Sequence, residues 1–439
     1  MRPPCPSRAA STCRAASTSR TGCLSRAHAT AVAAASIVLA GCTVLAGCSG
    51  TSPSSAAQRP PPVARPAGVV THSLPGCTTA VQQAKALPAA AVTMAPVQDQ
   101  SGLPARPFDV VVTANGRWAF ASLNGVAEIA VYQIGQGRMP VLAHLISVSG
   151  ISPFGEALTP GDRYLLVADG GGGADVISVA AAEAGSGAAV LGLMDSGGGE
   201  GALAVTASPD GRFAFVSLEG SGRIAVYNLR RAIAGGFTAA SYVGAIPTAL
   251  YPTDAAISPD DRWLYATSEE ASAGTEVGTL EVIRLVKAET DPEAAVAGSV
   301  RAGCNPVRVI TSADGGVVWV TARASDALLA YSAAGLGTDP QHALLADVQV
   351  GEAPVDLALA DGGTRLVVTD SDRFNVPGQS ASLAVVDVTD ALAGRPALLG
   401  YLPAGKFPRQ VTEEPDGRTV LVTNYNSSQL EAVDVADLP

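Results

Sequence analysis

Histidine is almost missing from this chain. Only His28, His72, His144 and His342 occur in 439 residues. So few and so scattered, they exclude His-ligated copper or haem sites and most Ser/His/Asp chemistry. Charge is scarce as well, at 15% of residues, and unbalanced, with a formal net charge of −11. No acidic residue precedes Cys48, whereas Arg2, Arg8, Arg14, Arg20 and Arg26 do. Removing those positive charges takes the net charge from −11 to −16. A surface that acidic repels phosphate backbones, so nucleic acid is not an expected partner. Aromatic residues make up 5% of the chain. What stands in their place is 47 Gly and 30 Pro set among short apolar runs, which favours an all-β chain with many turns.

The start reads as an export signal, arginines first and then an apolar run from Ala29 through AVAAASIVLAG that ends in small residues. LAGC occurs twice there, at Leu39–Cys42 and Leu45–Cys48. It resembles the bacterial lipobox, whose Cys is lipidated and becomes the new N-terminus. The resemblance implies a chain secreted across the cytoplasmic membrane and anchored to its outer face through Cys48, or through Cys42. The alternatives are an uncleaved anchor helix or an ordinary secretory signal. No twin-arginine pair precedes the apolar run, which points to the general secretory route. Residues 49–76 are rich in Ser, Pro and Ala without an apolar period and read as a tether. Three segments are therefore expected: a signal peptide over 1–48, a tether over 49–76 and a folded domain over 77–439.

Cleavage before Cys48 leaves Cys77 and Cys304 beside the lipidated Cys, and two spare cysteines in an oxidising compartment suggest a disulfide. Two isolated buried thiols are the alternative. Cleavage before Cys42 leaves an odd thiol in the tether. A Cys77–Cys304 bridge would let TTAVQQAKAL, which comes directly after Cys77, lie across a face of the domain and partly plug it.

From Arg106 onward one phrase returns: RPFDVVVTANGRWAFAS, SPFGEALTPGDRYLLVA, GALAVTASPDGRFAFVS, YPTDAAISPDDRWLYAT, NPVRVITSADGGVVWVT, APVDLALADGGTRLVVT and FPRQVTEEPDGRTVLVT. The residue after the turn falls at Arg117, Arg163, Arg212, Arg262, Gly316, Thr364 and Arg418, a period of about fifty residues. Each unit parses into a strand of small and apolar residues, an Asp-Gly type turn, an apolar strand ending in Ala, Ser or Thr, a third strand and a weaker fourth. Four antiparallel strands repeated seven times are the pattern of a seven-bladed β-propeller. Period-2 texture and turn chemistry exclude a helical solenoid, and no WD dipeptide occurs. The chain ends after the third strand of the seventh unit. PAAAVTMAPV, at about 88–97, is therefore expected to supply the missing strand and close the last blade, leaving no open edge.

SPDGRFAFVS with GRIAVYNL, and PDGRTVLVT with NYNSSQLEAVDV, resemble the YVTN-type β-propeller repeat, whose consensus is close to SPDG…YVTN…VSVID. The resemblance spans Arg106 to the C-terminus and implies the propeller fold. The family includes lactonase-like enzymes, surface-layer proteins and proteins of unknown role.

In propellers the start of the first strand and the loop between the second and third strands share one face, where ligands usually meet the channel mouth. Two positions after the repeat's Pro stand Asp109, Gly155, Ala204, Asp254, Arg308, Asp356 and Gln410. Three Asp, one Arg and one Gln around one mouth suit a cation or a polar ligand, or else the Asp residues fix the loop through backbone N–H groups. The second-to-third-strand loops add Asn424 and Tyr425, together with Asn124, Glu219, Glu269 and Arg373. Asp370 and Asp372, in the long loop DSDRFNVPGQSA, offer oxygens suited to Ca²⁺ but lack the Gly and distal Glu of an EF-hand. No other cofactor is expected. The run DGGGGAD at Asp169–Asp175 is not a phosphate loop, because no Lys comes after it.

Two function classes are compatible with these residues. One is a lipid-anchored, monomeric binding or interaction module whose partner is a cell-envelope protein or a small polar ligand. The other is a lactonase-like hydrolase of a sugar or carboxylated lactone. In that second reading Glu156 or Asp169 would serve as general base, and Arg308 or Arg323 would hold an anionic substrate. The propeller lactonases typically carry His near the strand where this chain has Phe154, Gly155 and Glu156. A carboxylate pair converging beside an Arg would favour the enzyme.

Overall fold

The structure, a computed structural model, describes residues 73–77, 85–88, 92–135, 139–150, 152–198, 200–436 and 438. The export signal, both LAGC cysteines, nearly all of the tether and residues 78–84 lie outside the described residues. Among those described, no helix is long and apolar enough to cross a membrane.

Among the described residues, twenty-eight strands form seven sheets of four. The first strand of each repeat is innermost: Arg106–Val112, Glu156–Leu158, Ala202–Ala207, Leu250–Ile257, Pro306–Thr311, Pro354–Ala360 and Pro408–Glu413. Each adjoins the next, and the seventh adjoins the first, so the blades make a ring. The second and third strands are buried along both faces, as Trp118–Asn124 and Phe213–Leu218 illustrate, because each blade lies between two others. The apolar core therefore sits between blades. Leu166 and Val176 of the second blade, for example, pack with Val205, Val216 and Tyr227 of the third.

The repeated turn phrase has a local cause. Ser208 Oγ donates to Asp210 Oδ1 at 2.7 Å, and the same oxygen accepts the Arg212 N–H at 2.9 Å. Ser258 with Asp260 and Ser312 with Asp314 repeat the first bond, at 2.6 Å each. Gly211 comes next at φ 65°, a left-handed slot that Asp261 fills at φ 57° in the fourth blade.

The Ser or Thr that ends the second strand ties blades together. Thr423 Oγ1 accepts the Gln410 N–H of its own blade at 3.1 Å and donates to Phe108 O of the first blade at 3.2 Å. Ser122, Ser217, Thr267 and Thr321 likewise donate to the carbonyls of Phe154, Thr253, Val307 and Val355 in the following blade. The second blade has Ala168 at this place and uses Gly155 instead. Its N–H donates to Leu203 O at 2.9 Å, an approach that leaves no room for a Cβ.

Val92–Pro96 is the outer strand of the seventh blade, antiparallel to Gln429–Asp434, with Val92 opposite Val433 and Pro96 opposite Gln429. The strand expected at 88–97 thus closes the ring over a shorter span. Ahead of it Lys85–Leu87 covers the edge of the sixth blade. Leu87 N–H donates to Tyr401 O at 2.9 Å, and Tyr401 N–H donates to Lys85 O at 3.1 Å. Cys77 and Cys304 are joined as a disulfide with Cα atoms 5.3 Å apart, which ties the same segment to the outer strand of the fourth blade, Val296–Cys304.

Short helices between the third and fourth strands of five blades were not expected. Val179–Glu183, Leu229–Gly235, Leu285–Ala288, Ala333–Thr338 and Val388–Leu392 continue directly from their strands. Ser178, Asn228, Ser332 and Asp387 cap four of them by accepting an N–H three residues on. In sequence these four look like strand ends, because a cap is recognisable only from the helical turn it opens.

Candidate functional site

In six blades the ladder between the first and second strands shifts register at or beside the position two after the Pro. A bulge re-aims a side chain, and here it turns this position toward the axis. Asp109, Asp254, Arg308, Asp356 and Gln410 meet there, lining an axial cavity of about 360 Å³ with Glu156. The cavity continues along the inner strands past Leu357 and Val411 to Thr311 and Glu413, near their C-terminal ends.

Arg308 is the centre of this group. Its Nη2 donates to Gln410 Oε1 at 2.8 Å, its Nη1 lies 3.5 Å from Asp254 Oδ1, and its Nε lies 3.6 Å from Asp356 Oδ1. The aspartates do two things at once. Asp109 Oδ2 accepts the Glu156 N–H at 2.8 Å, Asp254 Oδ2 the Val309 N–H at 3.1 Å, and Asp356 Oδ2 the Val411 N–H at 2.7 Å. Each reaches the same backbone position in the following blade, so every Asp is a staple between blades. The other Oδ of Asp254 and of Asp356 faces Arg308. Asp109 Oδ1 accepts the Val110 N–H at 2.7 Å.

Burial dominates the electrostatics. It raises the Asp109 carboxyl to about 6 against the attraction of Arg308. It raises Asp356 to about 7, again opposed by Arg308, and lifts Asp254 as well. Glu156 is raised well above the usual carboxylate range by burial and then by the charge of Asp109. Both of its carboxyl oxygens are buried without a hydrogen-bond partner. Burial thus favours the neutral form of Glu156, whose carboxyl stands at the cavity wall without a hydrogen bond.

The other expected site residues lie elsewhere. Asn424 is buried inside the seventh blade, its Nδ2 donating to Glu431 Oε2 at 2.6 Å. Tyr425 stays at the loop face, where its hydroxyl donates to Asn124 Oδ1 at 2.9 Å. Asp169 folds its own loop, with one oxygen accepting the N–H groups of Gly171 and Gly173 at 2.9 and 3.0 Å. Arg323 pairs with Glu269 at 2.9 Å. Asp370 is turned into the sixth blade, accepting from Ser382 Oγ at 3.0 Å and the Gly351 N–H at 3.1 Å. Asp372 stands at φ 53° in the loop beyond. Among the described residues no group of three or more His, Cys, Asp or Glu is arranged to hold a metal ion.

Sequence reasoning missed Arg409. It stacks 3.6 Å over the centroid of Phe108. The position directly after the Pro is Phe108, Phe154, Leu203, Thr253, Val307, Val355 and Arg409. One charged residue in an otherwise uncharged column was the available signal.

No protein-family model matches the chain, and no curated protein matches its sequence. Among solved structures the chain is similar to hydrazine synthase from Kuenenia stuttgartiensis. The identity is 18% and the TM-score 0.61, over 77% of this chain and 97% of that one. At that identity the likeness concerns the fold, a β-propeller.

Proposed function

We propose that this protein is an extracytoplasmic, lipid-anchored propeller of the YVTN-like kind that acts by binding, and that its axial cavity takes a small polar ligand rich in hydrogen-bond donors, such as a polyol or an amine. The observation that carries this reading is the commitment of the carboxylates. Asp109, Asp254 and Asp356 each give an oxygen to the next blade, and Asp169 is occupied by its own loop. Among the described acids that line the cavity, Glu156 alone has both oxygens buried without a hydrogen-bond partner, and its burial favours the protonated form, which does not accept a proton as a general base. Three aspartates around a single guanidinium favour a neutral or cationic guest over an anion. The Cys77–Cys304 bridge supports an oxidising location, and the LAGC sequences support a lipid anchor on Cys48 or Cys42.

The hydrolase remains the second reading for one reason: Asp109 and Glu156 converge beside Arg308. Calorimetric titration of the full chain with a panel of polyols and small amines tests the first reading. A saturable guest whose affinity falls at least about tenfold in Glu156→Ala supports it. The absence of any guest that Glu156→Ala or Gln410→Ala weakens contradicts it.

A further inference from the structure

On the face that carries the loops between second and third strands, Arg409 has no charge partner among the described residues. Its Nε is buried without a hydrogen-bond partner, and it forms no ion pair among those residues. It is flanked by aromatic rings. Phe108 lies beneath it, with Phe154 at 4.8 Å and Tyr425 at 6.3 Å from Phe108, edge to face. Phe407 is 6.0 Å from Tyr425. Phe154, Phe407 and Tyr425 are each only partly buried, so the cluster keeps an exposed side. None of these residues lines the axial cavity.

We propose that Arg409, with Arg373 within electrostatic reach, forms a site for a small aromatic carboxylate whose charge meets the guanidinium groups and whose ring lies on Phe154, Phe407 and Tyr425. A half-buried guanidinium whose Nε has neither water nor an anion is costly to keep. Here the cost is compounded, since burial and then Arg308, Arg373 and Arg323 push Arg409 down to about 9. Arg323 is already neutralised by Glu269. The remaining acid in range, Glu219, forms no ion pair among the described residues and is raised by burial and by Glu269. A carboxylate at Arg409 supplies the missing charge, through a planar fork that matches it bidentately. The rings offer stacking to its body. This site does not depend on the axial cavity or on the ligand proposed for it.

The test is thermal unfolding of the full chain in benzoate, acetate, inorganic phosphate and chloride at equal ionic strength. Benzoate is expected to raise the melting temperature saturably and more than the other three. Arg409→Gln is expected to melt at or above wild type in chloride, because it removes an unpaired charge, and to bind benzoate at least about tenfold more weakly. A benzoate shift that survives Arg409→Gln overturns the proposal, as does a shift no larger than that of acetate or phosphate. Should Arg409→Gln fail to fold, Arg373→Gln decides, since Arg373 is exposed on its loop. Unchanged benzoate affinity in that variant overturns the proposal, and a severalfold loss supports it.

Discussion

A single hydroxyl closes the ring from the inside. Thr423 Oγ1 both accepts the Gln410 N–H and donates to Phe108 O, so Thr423→Val strands a donor and an acceptor at once. The expected cost is about 1–3 kcal/mol, read as a lower denaturant midpoint with an unchanged slope. A Val variant as stable as wild type contradicts the latch. The sequence displayed this residue type at the end of nearly every second strand, but its partner lies in the next blade, which no local pattern reveals. The aspartates tell a similar story. Two roles, ligand contact and backbone acceptor, were open for Asp109, Asp254 and Asp356, and the structure gives the backbone role to all three while two of them also face Arg308. Asn424 sits in the same loop phrase as Tyr425, yet it points into its blade, because strand alternation puts neighbours on opposite sides.

Among the elements, Val92–Pro96 matters most, because it pairs the last strand of the chain with a segment more than three hundred residues earlier. Removing residues up to Val97 exposes the edge of Gln429–Asp434 and uncovers Leu430 and Val433. A truncated chain is expected to lose cooperative unfolding at the temperature where the full chain keeps it. Circular dichroism melts that superimpose for the two would contradict the closure. This strand was legible because the seventh repeat lacks a fourth strand and PAAAVTMAPV offers one. Its ends were not, since Pro and Ala give weak boundaries. The short helices were hidden for a different reason: four to seven residues hold too little periodicity to separate a helix from a loop.

For the molecule as a whole, buried acids set the response to pH. Asp109, Asp175, Glu352 and Glu431 are raised to about 6, and Asp356 and Glu414 to about 7, each first by burial. The folded chain therefore holds protons that the unfolded chain releases from about pH 4 upward, and stability is lost as pH rises through these raised values. Asp210, Asp260 and Asp314 are lowered and act oppositely, losing their contribution only in stronger acid. The denaturant midpoint is expected to be higher at pH 5 than at pH 7.5, with a smaller difference in Glu156→Gln. A midpoint that rises over the same interval contradicts the assignment of neutral acids to the interior.

The central claim is that the axial cavity binds and does not catalyse. Hydrolysis of a panel of sugar and carboxylated lactones by the folded full chain, at pH values from 5 to 8, addresses it most directly. No turnover above the buffer rate is predicted, with wild type, Asp109→Asn and Glu156→Gln indistinguishable. Turnover by wild type that either substitution abolishes would contradict the claim and identify Asp109 and Glu156 as working groups beside Arg308.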